Sequence, residues 1–145
     1  MKIFAIAFLS LFTALLYSQC KHQKFSAPEL PGAQLRFGHG GGFTGVETTF
    51  ILLDNGQLFK FASKAPQPLE IAGARRKIAG NLFDTAKSLG LLQLDFMHPG
   101  NTYNFIEFQN DGQQRRIAWG DREHPVDPNI KALYDQLTQL VAENK

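Results

Sequence analysis

The sequence predicts an α+β fold: an antiparallel sheet from two β-hairpins, each followed by an amphipathic helix (ββαββα), with both helices on one face. Three observations carry this expectation. Two runs of β-branched and aromatic residues are each interrupted by a tight turn, Asp54-Asn55-Gly56 in the first and Asn110-Asp111-Gly112 in the second. Two later segments repeat apolar residues at helical spacing. The chain has 145 residues, 43% of them hydrophobic, which is enough for one core.

Residues 1–19 stand apart from that fold. Met1 and Lys2 give a minimal positive start, and residues 3–17 are almost continuously apolar, IFAIAFLSLFTALLY. A membrane span needs about 20 apolar residues, so this run is short for one. Polar Ser18 and Gln19 follow at once. A charged start, a short apolar run and a polar exit form the layout of a secretory signal peptide.

Cys20 is the single cysteine of the chain, so no internal disulfide is open to it. Directly after the apolar run, it stands where the lipidated first residue of a bacterial lipoprotein stands. Gln19 occupies a position where a small residue is usual. The competing cut, between Ser18 and Gln19, gives a soluble exported protein. The expected location is the cell envelope, periplasmic or outer-membrane associated through an N-terminal lipid, or else a soluble periplasmic or secreted state. Residues 20–33, with two prolines and few apolar side chains, read as a flexible tether. Residues 34–145 read as a single α+β domain.

Residues 34–37 suggest a short strand ahead of the glycine loop. In the first hairpin, Val46, Thr48, Phe50 and Leu52 share one face, and Phe59 and Phe61 alternate with polar residues on the return strand. Its turn residues accept the positive φ that tight hairpins demand. The helix expected over 74–89 carries the stripe Ile78, Leu82, Phe83, Ala86 and Leu89, and Gly90 supplies its stop. The second hairpin joins residues 103–108 to 115–119. Asp127 then caps a helix that has Pro128 in its first turn. Its stripe is Ile130, Leu133, Tyr134, Leu137, Leu140 and Val141.

The segment RFGHGGGFTG, residues 36–45, is the candidate site. Its glycines match G-x-G-x-x-G, but that motif needs a helix N-terminus against the pyrophosphate. Here the β-branched run 46–51 follows, so a strand is expected and no dinucleotide. The stretch His39-Gly40-Gly41-Gly42-Phe43 also spells an esterase oxyanion loop. That chemistry needs a serine on a strained strand-to-helix elbow. The nearest candidate, Ser88, falls near the end of a helix.

The histidines His22, His39, His98 and His124 show no i, i+4 pair, and no cysteines group with them, so no metal is expected. His98-Pro99 and His124-Pro125 read as turns, and Asp121 and Glu123 as solvated loop charges. A net charge of +2 argues against a nucleic-acid partner. No cofactor and no catalytic constellation are expected. Two readings of the loop stay open. In one it is a bend that buries Phe43. In the other Gly40, Gly41, Gly42, Phe43, Thr44 and Gly45 form a partner-binding loop, with Phe43 as anchor and glycines permitting close approach.

The motif GGFTG (Gly41, Gly42, Phe43, Thr44, Gly45), followed by a long strand, a helix ending in Leu-Gly-Leu-Leu, a hairpin and a Pro-initiated Leu helix, resembles the emfourin-like family. Members of that family inhibit thermolysin-like metalloproteases and carry a glycine loop of this type near their start, with Ala where Thr44 stands. The likeness runs from about Leu35 to Val141 in order and spacing. It implies a non-enzymatic binding protein, an inhibitor of an envelope or secreted metalloprotease, with a protein partner at the loop. The chain also resembles small bacterial envelope lipoproteins, and the alternative expectation is a structural or assembly lipoprotein of the cell envelope with no inhibitory role.

Overall fold

The structure is a computed structural model that describes residues 24–27, 29–62 and 65–143. The chain runs β1 (Gln34–Gly41), β2 (Thr48–Leu53), β3 (Gln57–Ala62), β4 (Leu69–Gly73), α1 (Arg76–Ser88), β5 (Met97–His98), β6 (Thr102–Asn110), β7 (Gln113–Trp119) and α2 (Pro128–Ala142). The strands form one seven-stranded sheet in the order β4-β3-β2-β1-β6-β7-β5. All neighbours pair antiparallel except β5, which lies parallel to β7.

The α+β class holds, with a sheet and two helices among the described residues. The simple alternation of hairpin and helix does not, because three further strands join it. β1 is a central strand of eight residues, flanked by β2 and β6. The sequence suggests only its first half, since glycine is a poor strand residue. Here the neighbours are built around the missing side chains. A Cβ on Gly38 would enter the Thr48 carbonyl, and one on Gly40 would lie 2.7 Å from the Tyr103 hydroxyl. β4 is an edge strand that intervenes between the first hairpin and α1, with a register shift opposite Leu58 and Phe59. β5 has two residues, too few to show any period.

Both expected turns form. Asp111 (φ 49°) and Gly112 (φ 75°) make a two-residue connection between β6 and β7, the positive-φ pair that matches strand twist. Gly56 (φ 95°) closes the first turn, where its N–H donates to the Leu53 carbonyl at 3.0 Å.

The helices lie on one face. Leu35, Phe37, Leu52, Ile106, Phe108 and Ile117 point from the sheet into the main core. They meet Ala79, Leu82, Phe83 and Ala86 of α1 and Ile130, Leu133, Tyr134 and Leu137 of α2. Ile78, expected in the α1 stripe, is exposed, and Ala79 takes the inward position. α1 ends as expected at Gly90 (φ 65°): the Gly90 N–H donates to Lys87 and the Leu91 N–H to Ala86, while Leu91 is buried. α2 begins as expected, with the Asp127 carboxylate accepting from the Asn129 N–H at 2.7 Å.

On the opposite face Ile51, Leu53 and Phe59 form a smaller cluster. Phe25 and Leu30, from the segment read as a tether, pack against it. The Phe25 N–H donates to Gln57 Oε1 at 2.7 Å, and Gln57 Nε2 donates back to the Phe25 carbonyl at 2.9 Å. Among the described residues no helix is long and apolar enough to cross a membrane.

Candidate functional site

The glycine loop joins β1 to β2. β1 pairs with β6 as far as Gly41 opposite Thr102, and the Gly42 N–H then donates to the Asn101 carbonyl at 2.6 Å. The Gly45 N–H donates to the Gly42 carbonyl at 3.2 Å and closes a turn around Phe43 and Thr44. Phe43 is fully exposed at the tip, and Thr44, Gly45 and Val46 are exposed beside it. The reading in which Phe43 folds into the core is therefore not the one the chain adopts.

The glycines have reasons inside the fold. Gly41 (φ 89°), Gly42 (φ 73°) and Gly45 (φ 60°) occupy a region that other residues enter at a cost. A Cβ on Gly41 would also strike the Asn101 carbonyl. Close approach to a partner is thus not needed to explain Gly40 and Gly41. Around Gly45 a Cβ would meet open space.

The exit of the loop is held from the sheet face away from the helices. Glu47 accepts from Arg116 Nη2 at 2.5 Å and Nη1 at 3.3 Å, and from the Tyr103 hydroxyl at 2.8 Å. The Arg116 guanidinium lies 3.7 Å from the centre of the Phe105 ring, within cation–π range. Burial pushes the Glu47 carboxyl upward, but the bonds from Arg116 and Tyr103 outweigh it and leave the group below its ordinary value. The same bond to Glu47 is the main reason the Tyr103 phenol is raised. On this face Glu107 accepts from Gln114 at 2.8 Å and pairs with Arg36 at 3.5 Å. A cleft of about 450 Å³ opens here, with Arg36, Glu47, Phe61, Phe105 and Arg116 in its walls. Its charged side chains already satisfy one another.

His98 and His124, expected as separate turn residues, meet. Their rings stack with centres 4.1 Å apart and planes 10° apart. His124 Nδ1 lies 2.7 Å from Asp121 Oδ2. The Glu123 N–H, and after it His124, hold the Asp121 carboxyl below the ordinary range. Sequence spacing hides this cluster, because His98 comes from β5 and the other two from the segment after β7. The pairing of His98 with Trp119 brings them together.

Ser88 lies at the end of α1, where its hydroxyl donates to the Thr85 carbonyl at 2.9 Å. It sits on a helix and not on a strand-to-helix elbow. The segment after Gly45 leads into β2, so the helix a dinucleotide fingerprint requires is not there. Cys20 and residues 1–19 lie outside the described residues. No protein-family model matches this chain, and no curated protein matches it.

Proposed function

We propose that this chain is an exported binding protein without catalysis, lipid-anchored at Cys20, that seats loop residues 40–45 in the cleft of an envelope or secreted metalloprotease and inhibits it. The observation that carries the reading is the fully exposed Phe43 on a loop secured at both ends. A loop whose backbone is tied at both ends presents an aromatic tip with little backbone ordering left to do on binding. Interface energy concentrates in such anchors. The GGFTG likeness to emfourin-like inhibitors supplies the partner class, and the leader-like residues 1–19 with Cys20 supply the location.

The test is an inhibition panel of thermolysin-like proteases with the wild-type chain and Phe43→Ala. Phe43→Ala is expected to leave the melting temperature unchanged and to weaken inhibition by about 2 kcal/mol, or about thirtyfold. If no protease in the panel is inhibited and Phe43→Ala retains every envelope partner that wild type captures, the inhibitor reading fails. The chain then reads as a structural or assembly lipoprotein whose loop is only a bend.

A further inference from the structure

We infer that His98, Asp121 and His124 form a binding site for a divalent transition-metal ion of the zinc class, at the end of the sheet that carries the glycine loop. One donor atom from each of the three side chains lies within 4.8 Å of the other two. Two imidazoles and one carboxylate are a donor set for zinc, copper(II) or nickel(II). Calcium and magnesium prefer oxygen ligands throughout, so they are not the expected occupants.

The three positions are held by more than their own side chains. The Asp121 N–H donates to the His98 carbonyl at 3.1 Å, which fixes the two backbones against each other. The Glu123 N–H donates to Asp121 Oδ1 at 3.0 Å and leaves Oδ2 toward the imidazole. The Phe96 ring meets the His98 ring edge-on, with centres 4.8 Å apart, and packs against it. Supporting contacts of this kind orient metal ligands in known sites.

The stacked rings need one adjustment. With planes 10° apart, the in-plane nitrogen lone pairs of the two rings lie in nearly parallel planes and do not converge on one point. His98 is half-buried against Phe96, whereas the His124 side chain is 49% exposed, so His124 is the ring that turns, giving up its stack on His98. The ion takes the place of the proton between His124 Nδ1 and Asp121 Oδ2. That proton moves to His124 Nε2, or to solvent if the ring began doubly protonated. Three protein ligands leave further positions open to water or to a group from another molecule.

This inference is independent of the inhibitor reading, since it concerns metal binding by the chain alone. The experiment is a zinc titration of the untagged full chain against a chromophoric chelator, with magnesium and calcium as controls. Imidazole nitrogen resonances are recorded in parallel. One equivalent of zinc is expected to bind and to shift His98 and His124 but not His39. His124→Ala and Asp121→Asn should each weaken binding at least about tenfold, a loss typical even of supporting residues around a metal. His39→Ala should leave binding unchanged. His124 is exposed, so thermal melting of His124→Ala is expected to match metal-free wild type, which separates ligand loss from unfolding. Absence of binding at millimolar zinc overturns the site. So does zinc binding of equal strength in His124→Ala, which would place the ion elsewhere in the chain.

Discussion

The hydroxyl of Tyr134, on α2, lies 3.1 Å from the carbonyl of Gly38, at the middle of β1. The Asn104 side-chain oxygen stands at the same distance, so the phenol proton joins the last helix to the two central strands. The ring itself packs edge-on against Trp119 with centres 5.1 Å apart. One residue thus ties α2 to β1, β6 and β7. Burial pushes the phenol up to about 12.

Tyr134→Phe keeps the ring and removes only the hydroxyl. It is expected to cost about 1 kcal/mol, the usual net worth of a hydrogen bond. Tyr134→Ala also opens a cavity and should cost about 3–5 kcal/mol. Chemical denaturation of both variants checks the order. The phenol adds an alkaline signature. Its folded value of about 12 lies above its ordinary 10.0, so its stabilising contribution is complete below pH 10. It is lost as pH rises through the folded value, because the unfolded chain releases the proton first. Tyr134→Phe should flatten the alkaline arm of the stability profile, and an unchanged arm would remove this residue from the account.

Glu47 gives the opposite slope. Its carboxyl lies below the ordinary 4.5 in the folded chain, so its contribution is present above that value. It disappears as pH falls through the lower folded value, because the unfolded chain takes up the proton first. Glu47→Gln should flatten the acid arm and also loosen the exit of the glycine loop. Hydrogen exchange at Val46 and Glu47 reads the second effect. Protection there equal to wild type would show that the Arg116 pair does not hold the loop.

The turn glycines should rank by crowding. At Gly112 (φ 75°) a Cβ meets open space, so Gly112→Val carries only the backbone penalty, about 1–2 kcal/mol. At Gly56 (φ 95°) a Cβ also strikes the Ala74 carbonyl, so Gly56→Val should cost more. Gly41→Val faces the same double obstacle against Asn101 and is expected to destabilise the fold. Loss of partner binding in Gly41→Val therefore says nothing about the fit of a cleft. Equal costs at Gly56 and Gly112, measured by urea unfolding, would contradict the ranking.

Cys20 is tested on the mature protein. The lipoprotein reading expects a mature chain that begins at Cys20 and carries acyl chains, and more than one chain is needed for stable anchoring. Cys20→Ser should leave the precursor uncut or free the protein from membranes. A mature N-terminus at unmodified Gln19, seen by mass spectrometry, would end that reading and leave a soluble exported protein.

The two turns, the capped start of α2 and the stop of α1 at Gly90 were all legible in the sequence. Each depends on residues within a few positions of one another: a glycine at positive φ, an aspartate before a proline, an apolar stripe at helical spacing. The tertiary structure alone decided the rest. β1 is central although it is rich in glycine, because β2 approaches Gly38 so closely that a Cβ there would strike the Thr48 carbonyl, and only glycine lets the two strands close. β5 is too short to announce itself, yet its pairing carries His98 to Asp121 and His124. Phe43 could have turned inward on composition alone. It stays outside on a turn closed by the Gly45 N–H on the Gly42 carbonyl, with β1–β6 pairing holding one end of the loop and the Glu47–Arg116 pair the other. Such outcomes depend on pairings between residues far apart in sequence, which no local pattern records.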